Sequence, residues 1–197
     1  RFDRATLLPT PTRASLRDGV SEGNELLVVG AEGTLLRGVP GLLRASVVPG
    51  VGDLWSVAGT PADAVAVGEG GVVLRITHDS VSRIDCEGSR TLRAVVRTAE
   101  GTWAAGDGGR IVRIEPGGCV EEHEGGPALH AIGVGHEGHL LAAGDAGTVL
   151  SRGANGSWDR VDVDVGGASI RAIWRSSRYV YLAGTEGVLV RHIRLDR

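Results

Sequence analysis

Five side chains suited to binding a charged ligand recur along the chain about once every 38 residues. They are the second residues of five short runs, namely Arg17, Trp55, Arg93, His130 and Arg171. Guanidinium groups bind carboxylate, sulfate and phosphate through paired hydrogen bonds, and clustered cations focus a positive potential. If the fold brings these residues to one level, they predict an anion site. The alternative is that each arginine pairs with an acid of a neighbouring repeat.

Metal-binding patterns are weak in this sequence. Each repeat has one acid in a turn: Glu32, Glu69, Asp107, Asp145 and Glu186. A calcium ion needs six to eight converging oxygens, which one acid per repeat does not supply. His136 and His139 have a spacing that zinc can use, but no third ligand follows at a recognised spacing. We therefore predict no metal and no cofactor.

Catalytic patterns are also scarce. A sialidase-like enzyme needs an arginine triad, a tyrosine nucleophile and an acid in one pocket. The only tyrosines are Tyr179 and Tyr181, which share one predicted strand. The sequence has no G-x-S-x-G, no Cys–His pair at a known spacing and no P-loop. We therefore predict that the chain is not an enzyme, with a glycosidase-like enzyme as the least favoured function.

The candidate residues belong to an internal repeat. The segment Ala64–Arg75 reads AVAVGEGGVVLR, and related copies lie on both sides of it. The first glycine of each turn is Gly30, Gly68, Gly106, Gly144 and Gly184, so the steps are 38, 38, 38 and 40 residues. A period of this length is typical of repeat architectures.

The runs within each repeat predict strands. They hold four to seven residues, are rich in Val, Leu and Ile, and end at Gly, Asp, Asn or Pro. Glycine occupies 32 of the 197 positions and disfavours helices. The turn after the second run predicts a tight hairpin with glycines at positive φ. On that reasoning, valine at Gly68 or Gly106 is expected to destabilise the fold.

Three clear strands and a weaker fourth per repeat predict the blades of a β-propeller. We expect an all-β domain over residues 1–197, with five four-stranded antiparallel blades. The repeat cores are 16–47, 54–85, 92–122, 129–163 and 170–197. First strands of blades line the central channel, which places the row of Arg17, Trp55, Arg93, His130 and Arg171 at the channel mouth.

The two ends of the chain bear on closure of the ring. Phe2-Asp3-Arg4-Ala5 matches Trp158-Asp159-Arg160-Val161, so Phe2–Leu7 is predicted to complete the last blade as its fourth strand. Leu195-Asp196-Arg197 shows the same likeness. The chain could therefore also be part of a longer one that continues into further blades.

Charge and cysteine content limit the partners. The net charge of −3 and a pI near 6.1 predict no nucleic-acid partner. No apolar span long enough to cross a bilayer occurs, so no membrane insertion is predicted. Cys86 and Cys119 could form one disulfide or remain two buried thiols. The sequence does not indicate a compartment.

The repeat resembles the BNR/Asp-box-like propeller repeats, and most of all those of the photosystem II stability/assembly factors and related bacterial proteins. The shared pattern is an apolar run, Gly-acid-Gly and Val/Ile-Leu-Arg, over essentially the whole chain. The segment nearest to the Asp-box S-x-D-x-G-x-T-W is Ser151–Trp158, where Gly153 replaces the aspartate and Asn155 the glycine. The resemblance implies a fold used for assembly, adhesion and sugar recognition, with enzymes a minority.

These observations predict a non-catalytic interaction module. We expect a protein partner to dock on one face or at the channel mouth, on the row Arg17, Trp55, Arg93, His130 and Arg171. Trp174 is a further candidate contact, since an exposed indole is a natural anchor. The alternative is a lectin-like propeller that binds an acidic sugar or another small anion at the same arginines.

Overall fold

The computed structural model describes residues 7–193. In this range the regular structure consists of strands and six one-turn 3₁₀ segments. No helix within the range is long and apolar enough to cross a bilayer. The strands form five antiparallel sheets, each built from strands consecutive in the chain. The prediction of an all-β chain with one sheet per repeat is confirmed.

Four sheets have four strands each. Blade 1 contains β1 (Leu16–Glu22), β2 (Glu25–Gly30), β3 (Thr34–Gly38) and β4 (Arg44–Val47). Blade 2 contains β5 (Leu54–Thr60), β6 (Asp63–Gly68), β7 (Val73–Thr77) and β8 (Val81–Ile84). Blade 3 contains β9 (Leu92–Thr98), β10 (Gly101–Gly106), β11 (Ile111–Glu115) and β12 (Gly118–His123). Blade 4 contains β13 (Leu129–Val134), β14 (Leu140–Gly144), β15 (Val149–Arg152) and β16 (Trp158–Arg160).

Blade 5 has three strands within the described residues. They are β17 (Ile170–Arg175), β18 (Tyr179–Gly184) and β19 (Leu189–Ile193). The predicted closing strand, Phe2–Leu7, lies outside the described residues except for Leu7. The matching segment Leu195–Arg197 lies outside them too. Completion of the last blade therefore stays a prediction.

The second and third strands of every blade are joined by a 3₁₀ turn. Its last residue is a glycine at positive φ in all five blades, such as Gly71 at 73° and Gly109 at 68°. The glycine before the turn is different, because Gly68 and Gly106 are extended, with φ of −168° and −169°. The reason predicted for their intolerance of valine is therefore wrong. A Cβ at Gly106 would instead overlap the carbonyl oxygen of Thr91.

Consecutive blades are held together by buried apolar clusters. Leu27 and Val29 of blade 1 pack with Leu74 and Ile76 of blade 2, and similar clusters join blades 2 and 3, 3 and 4, and 4 and 5. The first strands lie side by side from β1 through β5, β9 and β13 to β17. Among the described residues, no packing of this extent joins β17 to β1. Within residues 7–193, the five blades therefore form an arc with two open ends.

A disulfide adds a covalent link between two blades. Cys86, just after β8, is bonded to Cys119 in β12, with a Cα–Cα distance of 4.9 Å. Of the two alternatives that the sequence leaves open, the structure has the bridge. It connects the outer strands of blades 2 and 3.

Candidate functional site

The predicted row lies at the end of the blades that carries the 3₁₀ turns. Each first strand begins beside the glycine that precedes a turn, as the pairing of Leu54 with Gly68 shows. The second residue of the strand therefore lies next to the turn acids. We call this end of the arc the turn face, defined by the turns at 31–33, 69–71, 107–109, 145–147 and 185–187.

Three members of the row are in contact with one another. The guanidinium carbon of Arg17 lies 3.8 Å from the centre of the Trp55 ring. That of Arg93 lies 5.5 Å from the same ring. Both distances fit cation–π attraction, which holds the indole between two cations. Side chains that are 38 residues apart in the sequence thus form one continuous surface.

Each arginine of the row, and His130 as well, has a carboxylate partner. The pairs are Arg17–Asp53 at 2.5 Å, Arg93–Asp107 at 2.5 Å, His130–Asp145 at 2.7 Å and Arg171–Asp145 at 3.6 Å. The Arg17 and Arg171 pairs cross from one blade to the next. These two pairs have the geometry of the alternative prediction, in which an arginine of the row pairs with an acid of a neighbouring repeat rather than with an anion.

Hydrogen bonds stabilise the ionised form of these acids. The backbone N–H of Glu32, followed by the Arg17 guanidinium, holds the pKa of Asp53 below its ordinary value. The Ser169 hydroxyl, then His130 and Arg171, lower the pKa of Asp145 in the same way. Both carboxylates are therefore charged at neutral pH and fixed in position.

On the turn face, acids outnumber the arginines of the row. Three arginines of the row face Asp53, Asp107 and Asp145, and three exposed turn acids, Glu32, Glu69 and Glu186, lie at the same end. A small anion would have to displace a bound carboxylate and approach others. The row and its turn acids together therefore carry a net negative charge.

Trp174 lies elsewhere, on the open side of blade 5. It is 44% exposed and stacks on Tyr181, with ring centres 5.2 Å apart and planes 12° from parallel. Tyr179 meets Tyr181 edge to face at 6.1 Å, and the Arg191 guanidinium lies 4.9 Å from the Tyr179 ring centre. The sequence indicated Trp174 but not this aromatic cluster, since Tyr181 occupies a position that three of the other four blades bury, with Leu27, Val65 and Trp103.

Glu122 is a polar centre that the sequence analysis missed. Its carboxylate accepts hydrogen bonds from Trp103 Nε1 at 3.1 Å, Trp158 Nε1 at 3.0 Å and two Arg152 nitrogens at 2.8 Å each. These residues lie where blade 3 packs on blade 4, and the group is saturated with donors. Its role is structural. The one sequence signal was an acid in a strand, with one tryptophan in its own repeat and another in the next repeat.

A cavity of about 450 Å³ lies between blades 4 and 5. Its wall is mainly apolar and includes Leu141, Val161 and Val180, and His136 and His139 also line it. Within residues 7–193, no group of three or more His, Cys, Asp or Glu side chains converges as a metal site.

Comparisons with known proteins agree on the fold. No protein-family model and no curated protein matches this chain. An inactive virginiamycin B lyase from Staphylococcus aureus, solved with quinupristin, has TM-score 0.84 at 14% identity over 94% of this chain and 68% of that chain. The WD40 propeller domain of Doa1 has TM-score 0.74 at 13% identity, over 92% and 65%. YCF48 from Cyanidioschyzon merolae has TM-score 0.66 at 16% identity, over 94% and 87%.

These likenesses bear on two predictions. The chain has a β-propeller fold shared with YCF48, a photosystem II assembly factor, whereas membership of the BNR/Asp-box family is not shown. The prediction that the chain is not an enzyme is corrected, because virginiamycin B lyase is an enzyme with this fold. At 14% identity the likeness shows the fold alone, so it assigns no reaction here.

Proposed function

We propose that this chain is a protein-binding β-propeller whose partner docks on the turn face. The observation that carries the proposal is the row in which Trp55 is held between Arg17 and Arg93. Tryptophan and arginine are the residues most enriched at the energetic centres of protein interfaces. The row presents both types together on one surface.

The ion pairs fix the side chains of the row before a partner binds. Arg17, Arg93 and His130 are each fixed by a carboxylate, so their side chains lose little freedom when a partner arrives. Pre-organised side chains reduce the entropic cost of association. A flexible row of the same composition would bind more weakly.

The charge balance defines the partner's chemistry. Glu32, Glu69 and Glu186 are exposed turn acids beside the row. We propose a partner segment with arginine or lysine side chains that meet these acids and an apolar or planar group that covers Trp55. Complementary charges raise the association rate and are screened by salt, so binding is expected to weaken as ionic strength rises.

Two finer predictions from the sequence also stand as proposals. The assembly-factor-like repeat pattern supports a role in holding other proteins together, as part of a larger complex. The segment Phe2–Leu7 supports completion of a fifth blade, because it repeats the Trp158 segment of blade 4.

Site-specific photo-crosslinking tests the docking surface. A photoreactive residue at Glu69, on the turn face, is compared with one at Val120, which is 49% exposed on an outer strand. In lysate of the source organism we expect a defined adduct from position 69 but not from position 120. When Trp55→Ala is added to the position-69 variant, we expect this adduct to be lost. Equal adducts from both positions, or an adduct insensitive to Trp55→Ala, would count against this surface. A sulfate or sialic-acid titration that alters Trp55 fluorescence would instead support the anion alternative.

A further inference from the structure

The loop that joins β15 to β16 contains an asparagine followed directly by a glycine. It consists of residues 153–157, Gly-Ala-Asn-Gly-Ser, and lies at the end of blade 4 opposite to the turn face. Asn155 is exposed to solvent. The sequence has only one other side-chain amide, Asn24, because it contains no glutamine. Any loss of an amide group from this protein can therefore be assigned to one of two residues.

Hydrogen bonds hold the Asn155 side chain in one orientation. The backbone N–H of Ser157 donates to Asn155 Oδ1 at 3.0 Å, and the Ser157 hydroxyl donates to the same oxygen at 2.8 Å. The loop itself is closed by the N–H of Gly153, which donates to the carbonyl oxygen of Ser157 at 2.8 Å. The hydrogen-bonded ring from Asn155 to Ser157 includes the backbone nitrogen of Gly156. It therefore keeps the side-chain carbonyl carbon of Asn155 folded back toward that nitrogen.

Gly156 presents its backbone nitrogen without a side chain beside it. Its φ of 85° lies in the region that favours glycine. The Gly156 N–H donates to the carbonyl oxygen of Gly153 at 3.0 Å, and hydroxide must remove this proton before the nitrogen can attack a carbonyl carbon. At Asn24 the next residue is Glu25, whose side chain shields the corresponding nitrogen. The two asparagines therefore differ in the access to the nitrogen that follows them.

The two donors of Ser157 point at the oxygen on which negative charge would develop. When a nitrogen attacks an amide carbon, the carbonyl oxygen becomes an oxyanion, and donors already aimed at this oxygen stabilise it. The Ser157 hydroxyl also lies 2.9 Å from Asp159 Oδ2, so its single hydrogen is shared between two acceptors. The backbone N–H of Ser157 is the constant donor, and the hydroxyl adds to it.

We propose that Asn155 is a self-modifying site, whose side-chain amide is converted to a carboxylate while the protein is folded. The Gly156 nitrogen, after losing its proton to hydroxide, forms a bond to Asn155 Cγ. The Cγ–Nδ2 bond then breaks, and ammonia leaves with a proton taken from water. Water opens the resulting cyclic imide at either carbonyl and gives aspartate or isoaspartate, so the net reaction consumes water and releases ammonia. The inference is independent of the docking proposed for the turn face.

The isoaspartate product acts on the Glu122 cluster through Arg152. A Cβ placed on Gly156 would lie 3.2 Å from Arg152 Nη2, so this glycine lies against the guanidinium. Arg152 in turn donates two hydrogen bonds to Glu122. Isoaspartate adds a carbon atom to the main chain and lengthens the loop, which moves Gly156 away from the guanidinium. Aspartate adds a negative charge but leaves the main chain unchanged.

Peptide mapping by mass spectrometry tests the site. The folded full chain is incubated in mildly alkaline buffer, and we expect the peptide with Asn155 to gain the mass of an NH₂ group replaced by OH. The rate should rise with pH, and Asn24 should stay intact. Asn155→Ser removes the site, so its intact mass should not change. Ser157→Ala removes one donor to Oδ1 and is expected to slow the conversion at least about threefold, whereas Ser157→Thr, which keeps the hydroxyl, should not.

Several results would overturn the proposal. If Asn155 stays an amide in the folded chain while the urea-unfolded chain is converted, the fold protects this residue. Equal rates at Asn155 and Asn24 would exclude a site built on Gly156, and a Ser157→Ala variant as fast as the wild type would exclude the role of the hydroxyl. The isoaspartate form, separated by chromatography, is expected to unfold at a lower urea concentration than Asn155→Asp. Equal midpoints would exclude the effect on Arg152.

Discussion

Glu122 joins two blades through a single carboxylate. Burial by itself would raise its pKa, but the hydrogen bonds from Arg152, Trp158 and Trp103 outweigh burial and leave the pKa below its ordinary value. The side chain is only 11% exposed, so the ionised group depends on these donors. A buried charge is tolerated where its hydrogen bonds are complete.

Substitution of Glu122 by glutamine is expected to destabilise the fold. The amide is neutral, so the charge-assisted bonds to Arg152 are lost and its half-buried guanidinium is left without its hydrogen-bonded counterion. We expect the free energy of unfolding to fall by about 2 kcal/mol, measured by urea denaturation. Glu115→Gln, at a half-exposed acid of the same blade, should change it by less than about 0.5 kcal/mol. Equal effects would show that the Glu122 cluster adds little stability.

The same residue predicts a dependence on pH. The pKa of Glu122 is lower in the folded state than its reference value of 4.5. Its stabilising contribution is therefore complete above about pH 4.5, and it is lost as the pH falls through the lower folded-state pKa. In this acidic window the stability difference between wild type and Glu122→Gln should shrink. A difference that stayed constant would contradict the assigned direction of the pKa shift.

At the scale of the element, the glycine before each 3₁₀ turn is required by close approach. Alanine at Gly106 would place its Cβ against the Thr91 carbonyl, although the extended backbone there suits any residue. We expect Gly106→Ala to lower the free energy of unfolding by about 3 kcal/mol, measured by denaturant titration. Gly117→Ala is the control, because nothing lies within 4 Å of its Cβ position. A mild effect at Gly106 would mean that the turn can shift.

The disulfide stabilises the outer strands of blades 2 and 3. It closes a loop with a sequence separation of 33 residues, which by chain entropy contributes about 3 to 4 kcal/mol. The double variant Cys86→Ser/Cys119→Ser should unfold at a correspondingly lower temperature, as followed by circular dichroism. A reducing agent should destabilise the wild type and leave the variant unchanged. If the wild type did not respond to reduction, the bridge would not be a stabilising element.

Elements could be predicted from sequence because their signals are local. Short apolar runs and glycine turns predicted the strands of each blade, and the residues near 81–85 and 119–122 correspond to β8 and β12. The sequence did not show why a glycine is needed before each turn, because the cause is close contact with the neighbouring strand rather than a positive φ. The sequence predicted only that Arg17, Trp55 and Arg93 lie at the same level. It did not predict that both guanidinium groups contact the indole, because side-chain stacking depends on the distance between blades.

At the scale of the whole molecule, the repeat period predicts the number of blades but not their closure. Closure depends on the angle between blades, which is set by side-chain packing such as Leu27 against Ile76. The pairing of Arg17 with Asp53 likewise joins two blades, and a repeat pattern does not specify which acid will be near. Neither ring closure nor the Arg17–Asp53 pair could be predicted without the packed arrangement of the blades.

The most direct measurement is the affinity of the crosslinked partner, once purified, for a triple variant at the turn face. Glu32/Glu69/Glu186→Gln removes the three exposed turn acids that meet the partner's basic groups, and Glu22/Glu100/Glu115→Gln removes three exposed acids away from the turn face as a charge-matched control. Docking on the turn face predicts a dissociation constant raised at least about thirtyfold in the first variant and unchanged in the second. Equal affinity of the two variants would contradict it.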